Sequence, residues 1–367
     1  MSPADLHEPA SSIEALLAPE RLARLEGRSV DRVSRQALVT VDGLSGGHIE
    51  RVVTTGADGD RCYVVKRFSL AGDWIMRATG DEGGRAAMAW RSGLLDRLPP
   101  CIDHATIGCA HDGDGWALLM RDISSALVPP GDAPITATQQ QHFLTHMATM
   151  HAAFWGEARW ADPDLGFCTL RQRYLELSPA MAARERDGRD AIPPMVGLGW
   201  SLLEEALAPD VAAVVRPLLD DPEPLCQAQG AFPHTVIHGD WKLGNLGLAG
   251  DGASSRTVLL DWAVVGVAPP AVDLAWYLAV NAARLPISRE ETIATFERAL
   301  REAIGRRFAR AWWEPHLALS LLGGFLQLGW PKILGAVRGD GAVQTRERDE
   351  LRWWSERVSQ GARYLPA

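Results

Sequence analysis

Val236-Ile237-His238-Gly239-Asp240-Trp241-Lys242-Leu243-Gly244-Asn245, with Val258-Leu259-Leu260-Asp261-Trp262 downstream, decides how the rest of this chain is read. Two short apolar runs flank a polar segment. The turn residues of Gly250 to Ser255 predict that the runs pair as a hairpin, which returns Asp261 to the side of Asn245. Phosphoryl transfer needs a carboxylate to orient the acceptor hydroxyl, and oxygen ligands to hold Mg²⁺ against nucleotide phosphates. Asp240, Asn245 five residues on, and Asp261 at the hairpin's end supply that set. Their order and spacing are more restrictive than a chance polar loop would give.

With those residues in place the segment resembles the catalytic loop and metal-binding Asp of the aminoglycoside phosphotransferase and choline kinase group, small-molecule kinases with a protein-kinase-like fold. The resemblance extends to Gly266-Val267-Ala268-Pro269-Pro270-Ala271-Val272-Asp273-Leu274-Ala275 and to Met150-His151-Ala152-Ala153-Phe154-Trp155, and spans about residues 30 to 335. It implies Asp240 as catalytic base, Asn245 and Asp261 as Mg²⁺ ligands, His238 as a brace of the loop, and Lys242 within reach of the transferring phosphate. ATP or GTP would be the phosphoryl donor. Asp273 resembles a position that stabilises the loop, and it also suits the N-terminus of a helix through Leu274-Ala275-Trp276.

Outward from this centre, the N-terminal third alternates strand patterns with glycine-rich turns. Residues 11 to 27 have helical spacing. Gln36 to Val41, Ile49 to Thr55, Arg61 to Phe68, Ile102 to His111 and Trp116 to Asp122 read as strands, with a helix over Glu82 to Arg97. Lys66, in Val64-Val65-Lys66, stands where a kinase-like lysine holds the α and β phosphates. Its usual helix-borne acidic partner maps only to Glu82, beside the poor helix residues Gly83-Gly84. Ser45, Gly46 and Gly47 form a short glycine loop whose backbone N–H groups are suited to phosphates. Leu119-Met120-Arg121 would be the hinge, with Met120 against the base of the nucleotide.

The fold class expected is α+β: a bilobal protein-kinase-like architecture with an antiparallel, β-rich N-lobe over residues 1–122 and a larger helical C-lobe over 123–367. The C-lobe would carry the catalytic loop and the acceptor site, with the active site in the cleft between lobes. Helical periodicity runs over Thr138 to Phe154, Trp200 to Leu207, Val272 to Ala283, Glu290 to Ile304, Leu317 to Leu334 and Arg346 to Ala362.

Composition narrows the functional classes. The 367 residues carry a net charge of −9, against the basic surplus of a nucleic-acid binder. Five cysteines without a C-x-x-C pair read as reduced thiols. The longest apolar stretch, Leu317 to Trp330, is cut by Ser320 and Gln327, short of the ~20 residues of a membrane span, and the N-terminus lacks a signal pattern. A cytoplasmic chain without membrane or nucleic-acid partners is expected.

Rival motifs are weaker. Gly43-Leu44-Ser45-Gly46-Gly47 matches the G-x-S-x-G of serine hydrolases, but that elbow must open into a helix, and Ile49 to Val53 reads as a strand. His142 and His146 lack the Glu of a zinc protease, there is no P-loop, and only 12 positions separate Asp261 from Asp273, too few for a peptide-docking activation segment. A nucleotide-binding pseudokinase or scaffold is disfavoured because Lys66, Asp240, Asn245 and Asp261 are all present.

The acceptor is expected to be a small hydroxylated molecule: an aminoglycoside, an amino alcohol or a sugar. Residues 156–223 hold 13 acidic against 7 basic residues, which suits a cation, whereas residues 270–367 hold 11 against 14. The charge argument therefore splits. Fourteen tryptophans are a marked excess, and Trp155, Trp160, Trp241 and Trp330 are those whose indoles could stack on a flat acceptor.

Overall fold

Residue types at the element ends explain where each begins and stops. In a computed structural model, which describes residues 7–38, 47–250 and 252–366, the leading helix is two: α1 (Ile13–Leu16), capped by the Ser12 hydroxyl, and α2 (Pro19–Glu26). Pro19 at the first turn of α2 lacks the N–H that would continue α1. Strands β1 (Arg32–Leu38), β2 (His48–Gly56) and β3 (Gly59–Phe68) follow. Then come α3 (Trp74–Thr79), α4 (Arg85–Arg91), β4 (Ile102–Asp103), β5 (Thr106–Asp112) and β6 (Gly115–Arg121).

Two corrections to the sequence reading arise here. The helix expected over Glu82 to Arg97 is confined to α4, because Gly84 sits in the left-handed region (φ 76°) and starts it late. The strand expected over Ile102 to His111 is interrupted at Ala105, whose φ is 57°. Ile102 and Asp103 pair in a different sheet.

The helical region consists of α5 (Ala137–Ala153), α6 (Leu170–Leu175), α7 (Pro179–Arg184), α8 (Ile192–Ser201), α9 (Leu203–Ala206), α10 (Pro209–Asp220) and α11 (Glu223–Gly230). Thr136 with Gln139, and Thr169 with Gln172, form reciprocal capping boxes that start α5 and α6. Strands β7 (Thr235–Ile237), β8 (Leu246–Ala249), β9 (Arg256–Leu259) and β10 (Gly266–Ala268) lead to α12 (Ala271–Val280), α13 (Arg289–Ile304), α14 (Arg310–Arg338) and α15 (Gly341–Ala362).

The chain divides into two compact units. The first comprises residues 1–130, 164–166 and 244–263; the second comprises 131–163, 167–243 and 264–367. In the first, an antiparallel sheet in the order β1-β2-β3-β6-β5 buries Val52, Tyr63, Val65, Ala117 and Leu119 against Ile13, Leu16, Leu17 and Leu22 of the leading helices. A three-stranded sheet, β4-β9-β8, joins β4 parallel to β9 and β8 antiparallel to β9.

In the second unit β7 pairs antiparallel with β10, and Ile237, Ala268 and Val272 pack together behind them. Helix α14 is longer than its apolar run suggested, at 29 residues, and is long and apolar enough to cross a membrane by itself. Of its most apolar 18-residue window, 78% is buried in the fold. It kinks at Leu328 (φ −128°, ψ 21°), one turn before Pro331, whose ring crowds the carbonyl four residues back.

Candidate active site

The β8–β9 hairpin forms with Leu246 opposite Leu259 and Ala249 opposite Arg256. One step beyond the ladder the Leu260 N–H donates to the Asn245 carbonyl at 3.0 Å, so Asp261 emerges next to Asn245 at the hairpin's open end. Asp261 has φ 64°, one of two non-glycine residues with positive φ among the described residues. Such backbone settings cost about 1–3 kcal/mol and cluster at functional positions. Asn245 is buried.

In the same unit Lys66 lies on the central strand β3, paired with Ile49 on β2 and Leu118 on β6. Its ammonium reaches Asp261, with Nζ 2.8 Å from Oδ1. A Cβ added to Gly47 would lie 3.6 Å from Lys66 Cε, so the glycine's backbone passes directly beside the lysine stem. Ser45 and Gly46 lie outside the described residues. Met120 is half-buried on β6, opposite Val64 and Thr106.

Glu82 is exposed and precedes α4, away from the helix position a lysine partner would occupy. The carboxylate that sequence reasoning missed is Asp73. It is 3% exposed and caps α3 by accepting from the N–H groups of Ile75 and Met76. Burial pushes its pKa up to about 6; the attraction of Lys66 opposes this, and the nearby Asp261 charge adds to it. Lys66 therefore pairs with Asp261, and its charge is also felt by Asp73. Asp73 carried a readable local signal, an Asp immediately before a helix, but nothing in the sequence linked it to Lys66.

The second unit holds the His238 to Leu243 loop. Gly239 requires its glycine: φ is 81°, and a Cβ would come 2.5 Å from the Val264 carbonyl oxygen. Asp273, fully buried on α12, accepts from the His238 N–H at 2.9 Å and the Gly239 N–H at 2.8 Å, and from His151 Nε2 at 3.0 Å. Burial alone would raise its pKa. Hydrogen bonding and charge from His151, with His238 and the Gly239 N–H, hold it below the usual carboxylate range.

His238 is buried, and its Nδ1 accepts from the Asp240 N–H at 3.2 Å. Asn281 secures the other side of the loop, accepting from the Leu243 N–H at 3.0 Å and donating to the Trp241 carbonyl at 3.3 Å.

Both oxygens of Asp240 are engaged. Lys242 Nζ lies 2.8 Å from Oδ2, and the Trp276 indole donates to Oδ1 at 2.9 Å. Arg173 stacks over that indole, 4.1 Å from the ring centroid, and donates to the Gly239 carbonyl and to Glu176. Burial raises the pKa of Glu176, and the neighbouring Asp240 raises it further.

The four indoles singled out for acceptor stacking are packed into the fold, Trp241 within the loop itself. Trp241, Trp160 and Trp330 are at most 6% exposed, and half-buried Trp155 packs on Trp312. Trp160 lines a cavity of about 420 Å³ with Phe154, Phe167 and His234, beside the start of β7, the strand's opposite end from His238.

The arrangement is an acidic side chain with fixed orientation on a braced loop, and a separate lysine–aspartate pair beside Gly47. The solved ethanolamine kinase of Plasmodium vivax shares this fold, with a TM-score of 0.52 at 10% identity over 88% of this chain and 82% of that one. A microcompartment-associated aminopropanol kinase (TM-score 0.49, 13% identity, 91% and 95% covered) and an aminoglycoside-3′-phosphotransferase of type VIII (0.45, 20%, 81% and 93%) are also similar. No curated protein matches the chain. The profile of the phosphotransferase enzyme family matches residues 40–315, three quarters of the sequence, and the chain belongs to that family.

Proposed function

We propose that the chain is a cytoplasmic small-molecule kinase, transferring the γ-phosphoryl group of ATP or GTP to a hydroxyl of an amino alcohol, aminoglycoside or sugar. The observation that carries this reading is the Lys66–Asp261 contact at 2.8 Å. Two residues remote in sequence, one expected at the nucleotide phosphates and the other at their metal, meet beside Gly47.

Asn245 and Asp261 would hold Mg²⁺. Their hard oxygen donors, few in number, fit an ion that keeps waters and takes its remaining ligands from substrate phosphates. When bound, Mg²⁺ supplies charge neutralisation at those phosphates. Lys66 binds the α and β phosphates, and Asp240 orients the acceptor hydroxyl and takes its proton. The acceptor oxygen bonds to the γ phosphorus, and the bond to the β–γ bridging oxygen breaks, its electron pair leaving on the nucleoside diphosphate. Lys242 stands where it can neutralise charge beside Asp240.

The test is a thermal-shift scan with MgATP and MgGTP. Nucleoside diphosphate release is then measured over ethanolamine, 1-amino-2-propanol, choline, kanamycin and simple sugars. Asp240→Asn is expected to lower turnover about 10²- to 10⁴-fold with nucleotide affinity retained, and Asp261→Ala to abolish Mg²⁺-dependent nucleotide binding. Nucleotide binding without turnover on any acceptor would favour a scaffold. Near-normal turnover in Asp240→Asn would overturn Asp240 as the base.

A further inference from the structure

Asp240 is useful as a base only if one carboxylate oxygen is aimed at the acceptor, and a free carboxylate rotates. Three side chains restrain it. On α12, Asp273 and Trp276 are three residues apart and so share a helix face. Asp273 takes the backbone N–H groups of His238 and Gly239, and Trp276 takes Oδ1 of Asp240 at 2.9 Å. The indole is itself fixed: it is 7% exposed and carries the Arg173 guanidinium on its face, and that guanidinium bonds to the carbonyl of Gly239, the residue before the base. One helix face thus sets both the backbone and the side chain of the same loop.

We propose that Trp276 is a positioning residue for the phosphoryl-transfer base. Its indole N–H holds Oδ1 while the Lys242 ammonium pairs with Oδ2, and the indole thereby fixes the rotation of the carboxylate that is to take the acceptor proton. This rests on the reading of Asp240 as base. The indole N–H also favours the charged carboxylate, as a donor to an anion does. Charged and titratable groups near Asp240 include Lys242 at 2.8 Å, Glu176, whose pKa the Asp240 charge raises, Arg173, which is paired with Glu176, and His238, whose Nδ1 accepts from the Asp240 N–H. Trp276 adds a neutral donor to this setting.

Trp276→Phe keeps a ring beneath Arg173 and deletes the N–H. Should that variant fold poorly, β-(3-benzothienyl)alanine at position 276 keeps the indole's shape and replaces N–H by sulfur. Nucleoside diphosphate release is followed from pH 5 to 9, with water and with whichever acceptor of the panel turns over. The expected result is a fall in kcat of about 10- to 100-fold, the penalty of a base misaligned by a fraction of an ångström. The acidic limb of the profile should move up by roughly one pH unit, with MgATP affinity unchanged.

A second measurement needs no acceptor. In ¹⁵N-labelled protein the Trp276 indole N–H resonance, identified by its loss in Trp276→Phe, should move upfield in Asp240→Asn. An unmoved resonance, or unchanged kcat and acidic limb in both position-276 variants while Asp240→Asn is inactive, overturns the inference and leaves the base intact. An active Asp240→Asn sinks the base reading itself.

Discussion

Asp273→Asn probes the brace under the catalytic loop most directly. The native carboxylate accepts from His238 N–H and His151 at Oδ2 and from Gly239 N–H at Oδ1. An amide placed with its oxygen at Oδ2 sets its NH₂ against the Gly239 N–H; turned over, it sets NH₂ against His238 N–H and His151. Either way at least one fully buried donor is unsatisfied, which costs about 1–3 kcal/mol, and the remaining bonds lose their charge assistance. The net loss is roughly 3 kcal/mol after the relief of burying no charge. In a unit of about 200 residues this lowers the melting temperature by roughly 6–12 °C.

The pH dependence fixes the cause. Because the folded pKa of Asp273 lies below its unfolded value, its contribution is fully present above about pH 4 and is lost as pH falls through the folded pKa. The gap between wild type and variant should hold from pH 8 to 5 and narrow below 4 in calorimetry. Turnover should fall about 10²-fold, since Gly239 and His238 set the base, while MgATP affinity, which rests on the other unit, is unchanged. A melting temperature within 2 °C of wild type would refute the reasoning.

Three further substitutions test separate pieces of the chain. Gly239→Ala forces a left-handed alanine onto the Val264 carbonyl and should cost at least 1–3 kcal/mol and most of the turnover, whereas Gly113→Ala (φ 57°, open surroundings) should cost about 1 kcal/mol and leave turnover intact; equal effects in parallel denaturation curves would contradict the crowding argument. His316 is fully buried, its Nε2 accepts from the Ala271 N–H at 3.1 Å, and burial lowers its pKa to about 3. A His with a depressed folded pKa loses stability as pH falls from its unfolded value near 6.5, so urea titrations at pH 6.5 and 4.5 should differ by roughly 2–3 kcal/mol from this group. His316→Gln should flatten that difference, and an unchanged slope would exclude His316 as its source.

What the sequence made legible was local. Asp240, Asn245 and Asp261 fall on one short stretch whose turn residues and apolar flanks specify a hairpin, and the ladder from Leu246 to Ala249 realises that pairing. The five antiparallel strands were readable from alternation and glycine turns, although β1 starts at Arg32 rather than Gln36. Of the helices between residues 170 and 230 only the stretch Trp200 to Leu207 was, and it covers the end of α8 and all of α9. Ile192-Pro193-Pro194, Pro209 and Pro217 sit inside or at the start of helices there, and most of these helices are short, so propensity argues against what packing enforces. Partner choice was least legible. Asp261 on Lys66, and Trp276 on Asp240, are tertiary contacts between segments with no periodic relation.

The tryptophan excess follows the same division. Trp276 is not among the four indoles singled out for stacking, and its N–H meets the Asp240 carboxylate. Its helix is pinned at both ends, by His316 on the Ala271 N–H and by Lys332, 6% exposed, on the Ala279 carbonyl at 3.2 Å. Lys332 is itself matched by Glu350, and burial lowers its pKa to about 8. Buried ions of this kind are often no better for stability than apolar residues of equal volume. Packing α12 would therefore have needed neither Lys332 nor His316. What they fix is the axial position of α12, and through Asp273 and Trp276 that position sets the height and rotation of Asp240. If Asp240 is the base proposed above, its need to meet an oxygen within a few tenths of an ångström gives a reason for polar anchors where hydrophobic ones would have held the helix equally firmly but less specifically.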